Sequence, residues 1–236
     1  MSQELGRIEK PEAEPFKAER KVYLVPLILA PPNPPADYLQ ILERYWNGAA
    51  EHVGRLEGRI GEVRHVYMEL NDRAGQEGLK MAEQISAGAA KFAASCVERG
   101  ATFEALEDSE TLAETMDWER CLFVGLISRK ATEYVTQAYR EASNRRYEFM
   151  ARRLDETLKE GEAGLAFLSE HHRVQFPDSI RVFYVAPPAL DEVHRWLRNF
   201  REQPPSPPRA QKPEPKEEKA AEPEEGRAEE EGHQTG

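Results

Sequence analysis

A carboxylate and two imidazoles stand together at Glu170-His171-His172, one serine after the apolar run Leu165-Ala166-Phe167-Leu168. Such a run predicts a strand, and the carboxyl ends of strands are where open α/β sheets bind ligands. Two other expected strand ends carry similar groups: Glu69 with Asn71 and Asp72, and Glu107 with Asp108. If the strands run parallel, all three clusters meet at one edge. Carboxylate and neutral imidazole form the ligand set of a divalent zinc, manganese or iron ion, and a spare carboxylate can act as general base on metal-bound water. That chemistry is hydrolysis, with Glu69, Glu170 and His172 in catalytic roles and Glu107 and His171 as metal ligands. A solvated role for these acidic loops is the alternative reading of the same residues. Adjacent residues of an extended segment point to opposite faces, so at most one of His171 and His172 can bind a given ion. His65 reads as a hydrogen-bonded strand residue rather than a ligand.

Arg146 stands out for a different reason. The apolar stripe through Tyr139, Ala142, Phe149 and Leu154 includes position 146 on its inward side, and an inward guanidinium needs a partner. It pairs with a strand-end carboxylate, or it grips an anionic substrate group in a forked geometry and so joins the catalytic set. The third option is that the stripe drifts and Arg146 lies at its wet margin.

The chain lacks G-x-G-x-x-G after a strand, G-x-x-x-x-G-K-[ST] and G-x-S-x-G. Dinucleotide binding, P-loop chemistry and an α/β-hydrolase nucleophile elbow therefore have no support. Cys121 follows Arg120, which could lower a thiol pKa, but no histidine lies near it in sequence.

Positioning these groups requires alternating strands and helices. Val22 to Leu29 is nearly all apolar, as a strand covered on both faces would be, and Pro26 moves it towards a sheet edge. A helix follows, with Asp37 and Gln40 as a capping box and an end near Gly58 or Gly61. Val63 to Leu70 is the second strand, with His65, Tyr67 and Glu69 on one face and Val66, Met68 and Leu70 on the other. An alanine-rich helix from Leu79 to Cys96 stops at Gly100. Thr102 to Leu106 is a third strand, and Asp108 or Ser109 caps an acidic helix. The long helix Thr132 to Glu160 precedes strand four, Ala163 to Leu168. Strand five, Ile180 to Val185, follows after a short connection that predicts an antiparallel pair with strand four. Pro187-Pro188 opens a last helix. The sum is an α/β fold: a mostly parallel five-stranded sheet sandwiched by helices, in one domain over residues 21–200.

The flanks, residues 1–20 and 201–236, are poor in apolar residues and are expected to be disordered. The formal net charge is -11, of which the ten acids and six bases of residues 201–236 supply -4. An acidic body argues against nucleic acid and anionic membrane as partners. A protein partner, bound through the tail or a helical surface, remains open. With no signal-like N-terminus and no apolar run long enough to span a bilayer, the expectation is a cytoplasmic protein. Cys96 and Cys121 read as buried reduced thiols.

The stretch from Arg146 through Met150, the strand Ala163 to Leu168 and the motif Ser169-Glu170-His171-His172 resemble the second half of the TraB, ChaN and erythromycin-esterase-type superfamily. There an arginine- and methionine-bearing helix precedes a strand ending in G-x-x-H. Serine stands here for the glycine and His172 matches the histidine, over the C-terminal third of the chain. Where members carry a histidine motif after the first strand, this chain has Leu29-Ala30-Pro31-Pro32. The resemblance implies a metal-linked hydrolase with His172, Arg146 and Glu69 at its site. The residues themselves point first to a non-catalytic interaction or regulatory protein, with the metal-assisted hydrolase as alternative and a divalent metal as the cofactor it would need.

Overall fold

The computed structural model describes residues 14–202. Their core is a five-stranded sheet, all parallel, in the order β3-β2-β4-β1-β5. The strands are β1 (Arg20–Pro26), β2 (Val63–Met68), β3 (Thr102–Phe103), β4 (Ala163–Leu168) and β5 (Ile180–Tyr184). The helices are α1 (Glu14–Ala18), α2 (Ala36–Ile60), α3 (Gly75–Ile85), α4 (Ala87–Glu98), α5 (Ser109–Val124), α6 (Arg129–Thr157) and α7 (Ala189–Glu202). Among the described residues, no helix is long and apolar enough to cross a membrane.

Every residue of β4 is buried, because β4 lies between two strands and under helices on both faces. Alternation sorts its side chains and those of β1 and β2 into two cores. Tyr23, Val25, Val66, Met68, Leu165 and Phe167 pack under the α2, α3, α4 and α7 layer. Val22, Leu24, Tyr67, Ala166 and Leu168 pack with Met150 and Leu154 of α6 and with Leu158 just after it. Gly164 is required by this second packing, since a Cβ there would lie 2.8 Å from the Tyr67 ring. At Gly88 of α4 a Cβ would meet Trp46 of α2 at 2.1 Å, so glycine lets two helices close on one another.

Several expectations need correction. The strand-four and strand-five segments do not pair antiparallel. β5 pairs with β1 in parallel, from Arg20 opposite Ile180 to Leu24 opposite Tyr184. The connection 169–179 must therefore cross over β1, and it does so without a helix by seating Val174 and Phe176 on the α6 core. β1 is an interior strand rather than an edge one. Its Pro26 is tolerated because it lies past Leu24, the last residue opposite β5. The alanine-rich helix is two helices broken at Ser86. The Asp37 capping box does not form: Pro35 is the N-cap, and Asp37 accepts from Trp196 Nε1 at 2.9 Å. Cys96 is buried as expected, but Cys121 is exposed. Residues 14–20, placed in the N-terminal flank, hold α1 and the start of β1, and Phe16 packs edge-on against Phe183. The expected disorder of the remaining flanks falls outside the described residues.

Candidate functional site

Glu69, Glu107 and Arg146 meet at the carboxyl edge of the sheet. The backbone of Glu69 still pairs with β4, its N–H donating to Phe167 O at 2.9 Å. Leu70 then takes a φ of 68°, a left-handed conformation that costs a non-glycine residue about 1 kcal/mol or more. The buried Asn71 ties the next turns together. Its carbonyl accepts from the N–H groups of Leu106 and Glu107 at 3.2 Å each, and its side-chain amide donates to Gly78 O at 2.8 Å. The loop after β3 is thereby fixed to the loop after β2, and the two carboxylates come to face one guanidinium.

Arg146 donates through Nε to Glu107 Oε2 at 2.9 Å and through Nη2 to Glu69 Oε1 at 3.2 Å and to Glu107 Oε1. Both carboxylates also accept from the backbone: Glu69 Oε2 from Ser169 N–H at 2.5 Å, and Glu107 Oε1 from Leu70 N–H at 2.9 Å. The three side chains are 8%, 6% and 0% exposed for Arg146, Glu69 and Glu107. Burial works to lower the guanidinium pKa, but the hydrogen bond and charge of Glu107, with the charge of Glu69, outweigh it and the net direction is up. Of the three options for Arg146, pairing with strand-end carboxylates is the one observed. No N–H of Arg146 Nη1 has a partner among the described residues.

Above this triad lies a cleft of about 360 Å³. Arg146, Glu69, Leu70 and Ser169 line its floor, and Thr115, Met116, Glu119, Tyr139, Arg140 and Ser143 contribute from α5 and α6. His171 and Arg173 enter from the β4 to β5 crossover. The Ser143 hydroxyl is buried with no partner. Tyr147, also at the cleft, is half-buried, and burial pushes its phenol pKa up, with the charge of Glu69 acting the same way.

The other expected site residues separate. Glu170 turns outward, where it accepts from Tyr184 Oη at 3.3 Å and bonds His194 Nε2 at 2.6 Å. It does not line the cleft with the other strand-end groups, because the end of β4 is the branching point and successive residues there face opposite sides. His172 is half-buried against Phe176, and its Nδ1 accepts from Val174 N–H at 3.3 Å. Burial lowers its pKa from the ordinary histidine value, with Glu69 pulling weakly the other way. His171 is exposed at the cleft. Glu107, expected as a metal ligand with His171, instead holds Arg146 and Leu70. Among the described residues, no group of three or more His, Cys, Asp or Glu side chains is arranged to hold a metal ion. His65 is a hydrogen-bonded strand residue, 3.0 Å from Glu104 Oε1 and 3.2 Å from Glu162 Oε2.

Arg140, Ser143 and Arg173 escaped the sequence reading. Arg140 and Ser143 sit on the same long helix as Arg146, six and three residues before it, so a search one or two turns from an inward arginine would have reached them. Nothing in the sequence marks Arg173, which depends on the path of the crossover. Compared with known proteins, the chain matches no family model, no curated protein and no solved structure.

Proposed function

We propose that this is a non-catalytic binding protein of regulatory type that takes a small carboxylate- or phosphate-bearing molecule in the cleft above Glu69, Arg146 and Glu107. The observation that carries the reading is the division of labour among the charges there. Both strand-end carboxylates direct their oxygens to Arg146 and to the backbone N–H groups of Leu70 and Ser169, which makes them holders of that guanidinium. Arg140 and Arg173 line the same cleft and have no carboxylate partner among the described residues. The unspent Nη1 of Arg146 and the unpaired hydroxyl of Ser143 add donors beside them. A planar guanidinium suits a carboxylate or phosphate oxygen pair, and Glu119 would meet a donor group elsewhere on the ligand.

The test is thermal unfolding and calorimetric titration with inorganic phosphate, citrate and a nucleoside monophosphate. A ligand present at a hundred times its dissociation constant adds about 2.7 kcal/mol of stability. The expected result is a raised Tm for at least one of these compounds, lost in Arg140→Glu/Arg173→Glu. An absence of any shift at millimolar concentrations would overturn the reading.

A metal-assisted hydrolase of the TraB, ChaN and erythromycin-esterase type is the second reading. Its support is the meeting of Arg146 with Glu69 and the pull of Glu69 on His172. Elemental analysis of chelator-free protein, beside His171→Ala and His172→Ala variants, tests it. About one ion per chain, lost in one variant, would favour this reading over the first.

A further inference from the structure

The cleft above Arg146 is lined by two kinds of side chain, and they come from different elements. Arg140, Ser143 and Arg146 come from α6 and Arg173 from the β4 to β5 crossover, all of them hydrogen-bond donors. The loops after β1 and β2 supply Leu27, Leu29 and Leu70, and α5 adds Met116. Leu29 and Met116 are 48% and 38% exposed, so large apolar side chains stand uncovered at the same opening as the guanidinium groups. A bare anion would satisfy the first set and leave the second facing water.

Leu70 is the informative member of the apolar set. Its φ of 68° is a conformation that glycine takes freely and that a residue with a Cβ resists. The backbone is held on both sides: Glu69 N–H donates to Phe167 O, Leu70 N–H donates to Glu107 Oε1, and Asn71 O accepts from Leu106 and Glu107. The chain therefore carries an isobutyl group where glycine or asparagine would be less strained, and that group lies half-buried at the cleft floor. Strained residues gather at ligand clamps, where the strain sets a group in position before the ligand arrives.

Resting on the reading of this cleft as an anion site, we propose that its ligand is an amphiphile: a carboxylate or phosphate head with an apolar tail of a few carbons. The head takes the donors of Arg140, Arg173, Arg146 Nη1 and the unpaired Ser143 hydroxyl. The tail covers Leu27, Leu29, Leu70 and Met116. Size agrees, since about 360 Å³ lies at the lower end of the range of small-molecule sites, roughly 300 to 1,000 Å³. Polarity discriminates among anions. A polyhydroxylated or multiply charged tail would lose its water against leucine without gaining a partner, which disfavours sugar phosphates and tricarboxylates. Glu119 is exposed and stays hydrated when the ligand brings no donor for it.

The experiment is calorimetric titration of the full 236-residue chain with inorganic phosphate and with n-alkyl phosphates of two, four and six carbons, the n-alkyl carboxylates of the same lengths beside them. Each methylene that leaves water for the cleft is expected to tighten binding roughly fourfold, until the cleft is full. Leu70→Gly is relaxed at this φ, and Leu70→Asn tolerates it with a polar side chain. Both are expected to keep the wild-type circular dichroism spectrum and to flatten the dependence on tail length. Tightening along either series supports the proposal, and the series that binds more tightly identifies the head. Wild-type affinity that does not change with tail length would overturn the proposal and leave the anion reading in place. So would a dependence on tail length that survives both substitutions. Failure of every compound, inorganic phosphate included, would bring down the anion reading and the amphiphile with it.

Discussion

Two cations are buried at opposite ends of one sheet, and different partners hold them. At the amino end, Lys21 of β1 donates from Nζ to the carbonyls of Gly161 at 3.0 Å and Lys17 at 3.3 Å. At the carboxyl end, Arg146 donates to two carboxylates. Burial disfavours the charged form of both. For Lys21 burial prevails, even against the pull of Glu19, and the pKa falls below the ordinary lysine value. For Arg146 burial is outweighed by Glu107 and Glu69, and the pKa rises. Neutral carbonyl dipoles stabilise a cation less than full opposite charges at the same range. Lys21 is thus a clasp joining α1 to the loop before β4. Arg146 is a fixed charge that holds three strand ends in register beneath a cleft.

The largest effect should come from Arg146→Ala. It leaves two buried carboxylates facing each other, and breaking a buried pair from one side costs about 3–5 kcal/mol. Urea unfolding followed by circular dichroism would read this loss. A cost below about 1 kcal/mol would mean that the two carboxylates find other partners, and the contrast with Lys21 would collapse. Lys21→Met keeps the aliphatic stem but strands two carbonyls, for an expected loss of about 1–3 kcal/mol in the same assay. Equal costs for the two variants would show that a cage of carbonyls holds a cation as firmly as a pair of carboxylates.

The smallest effect is a pH dependence that belongs to one end of the sheet. With a folded-state pKa below the unfolded value of 10.5, Lys21 binds fewer protons folded than unfolded in the interval between them. Wild-type stability from this group therefore rises with pH across that interval. The stability gap between wild type and Lys21→Met should widen on going from pH 8 towards 10.5, while the buried tyrosines, present in both proteins, cancel. A gap that stays constant or narrows would contradict the depressed pKa.

The strand and helix pattern was largely readable from sequence because it depends on short-range periodicity. β4 occupies the residues expected, Asp108 caps α5 by accepting from Thr111 N–H at 2.9 Å, and α2 ends at Gly61. An inward Arg146 was one of the positions the stripe allowed, because a helix places every third or fourth residue on one face, but the stripe alone did not separate it from the wet margin. Strand order was not readable. The pairing of β5 with β1 depends on where the 169–179 crossover finds apolar surface, and the same residues would serve an antiparallel turn. The fate of Glu170 followed that choice, since the position of β5 and α7 brings Tyr184 and His194 to it.

The sequence by itself determined the α/β class and the parallel character of most of the sheet, both consequences of local pattern and chain direction, and it left open whether Glu69 and Glu107 would meet at one edge. Only the tertiary structure decided that those carboxylates close on Arg146, that His171 and Arg173 border a cleft while Glu170 does not, and that Phe123 and Ile127 stand exposed beside the turn between α5 and α6. These outcomes depend on which distant segments share a volume. No periodicity encodes that, because hydrophobic burial favours any arrangement that covers the same area.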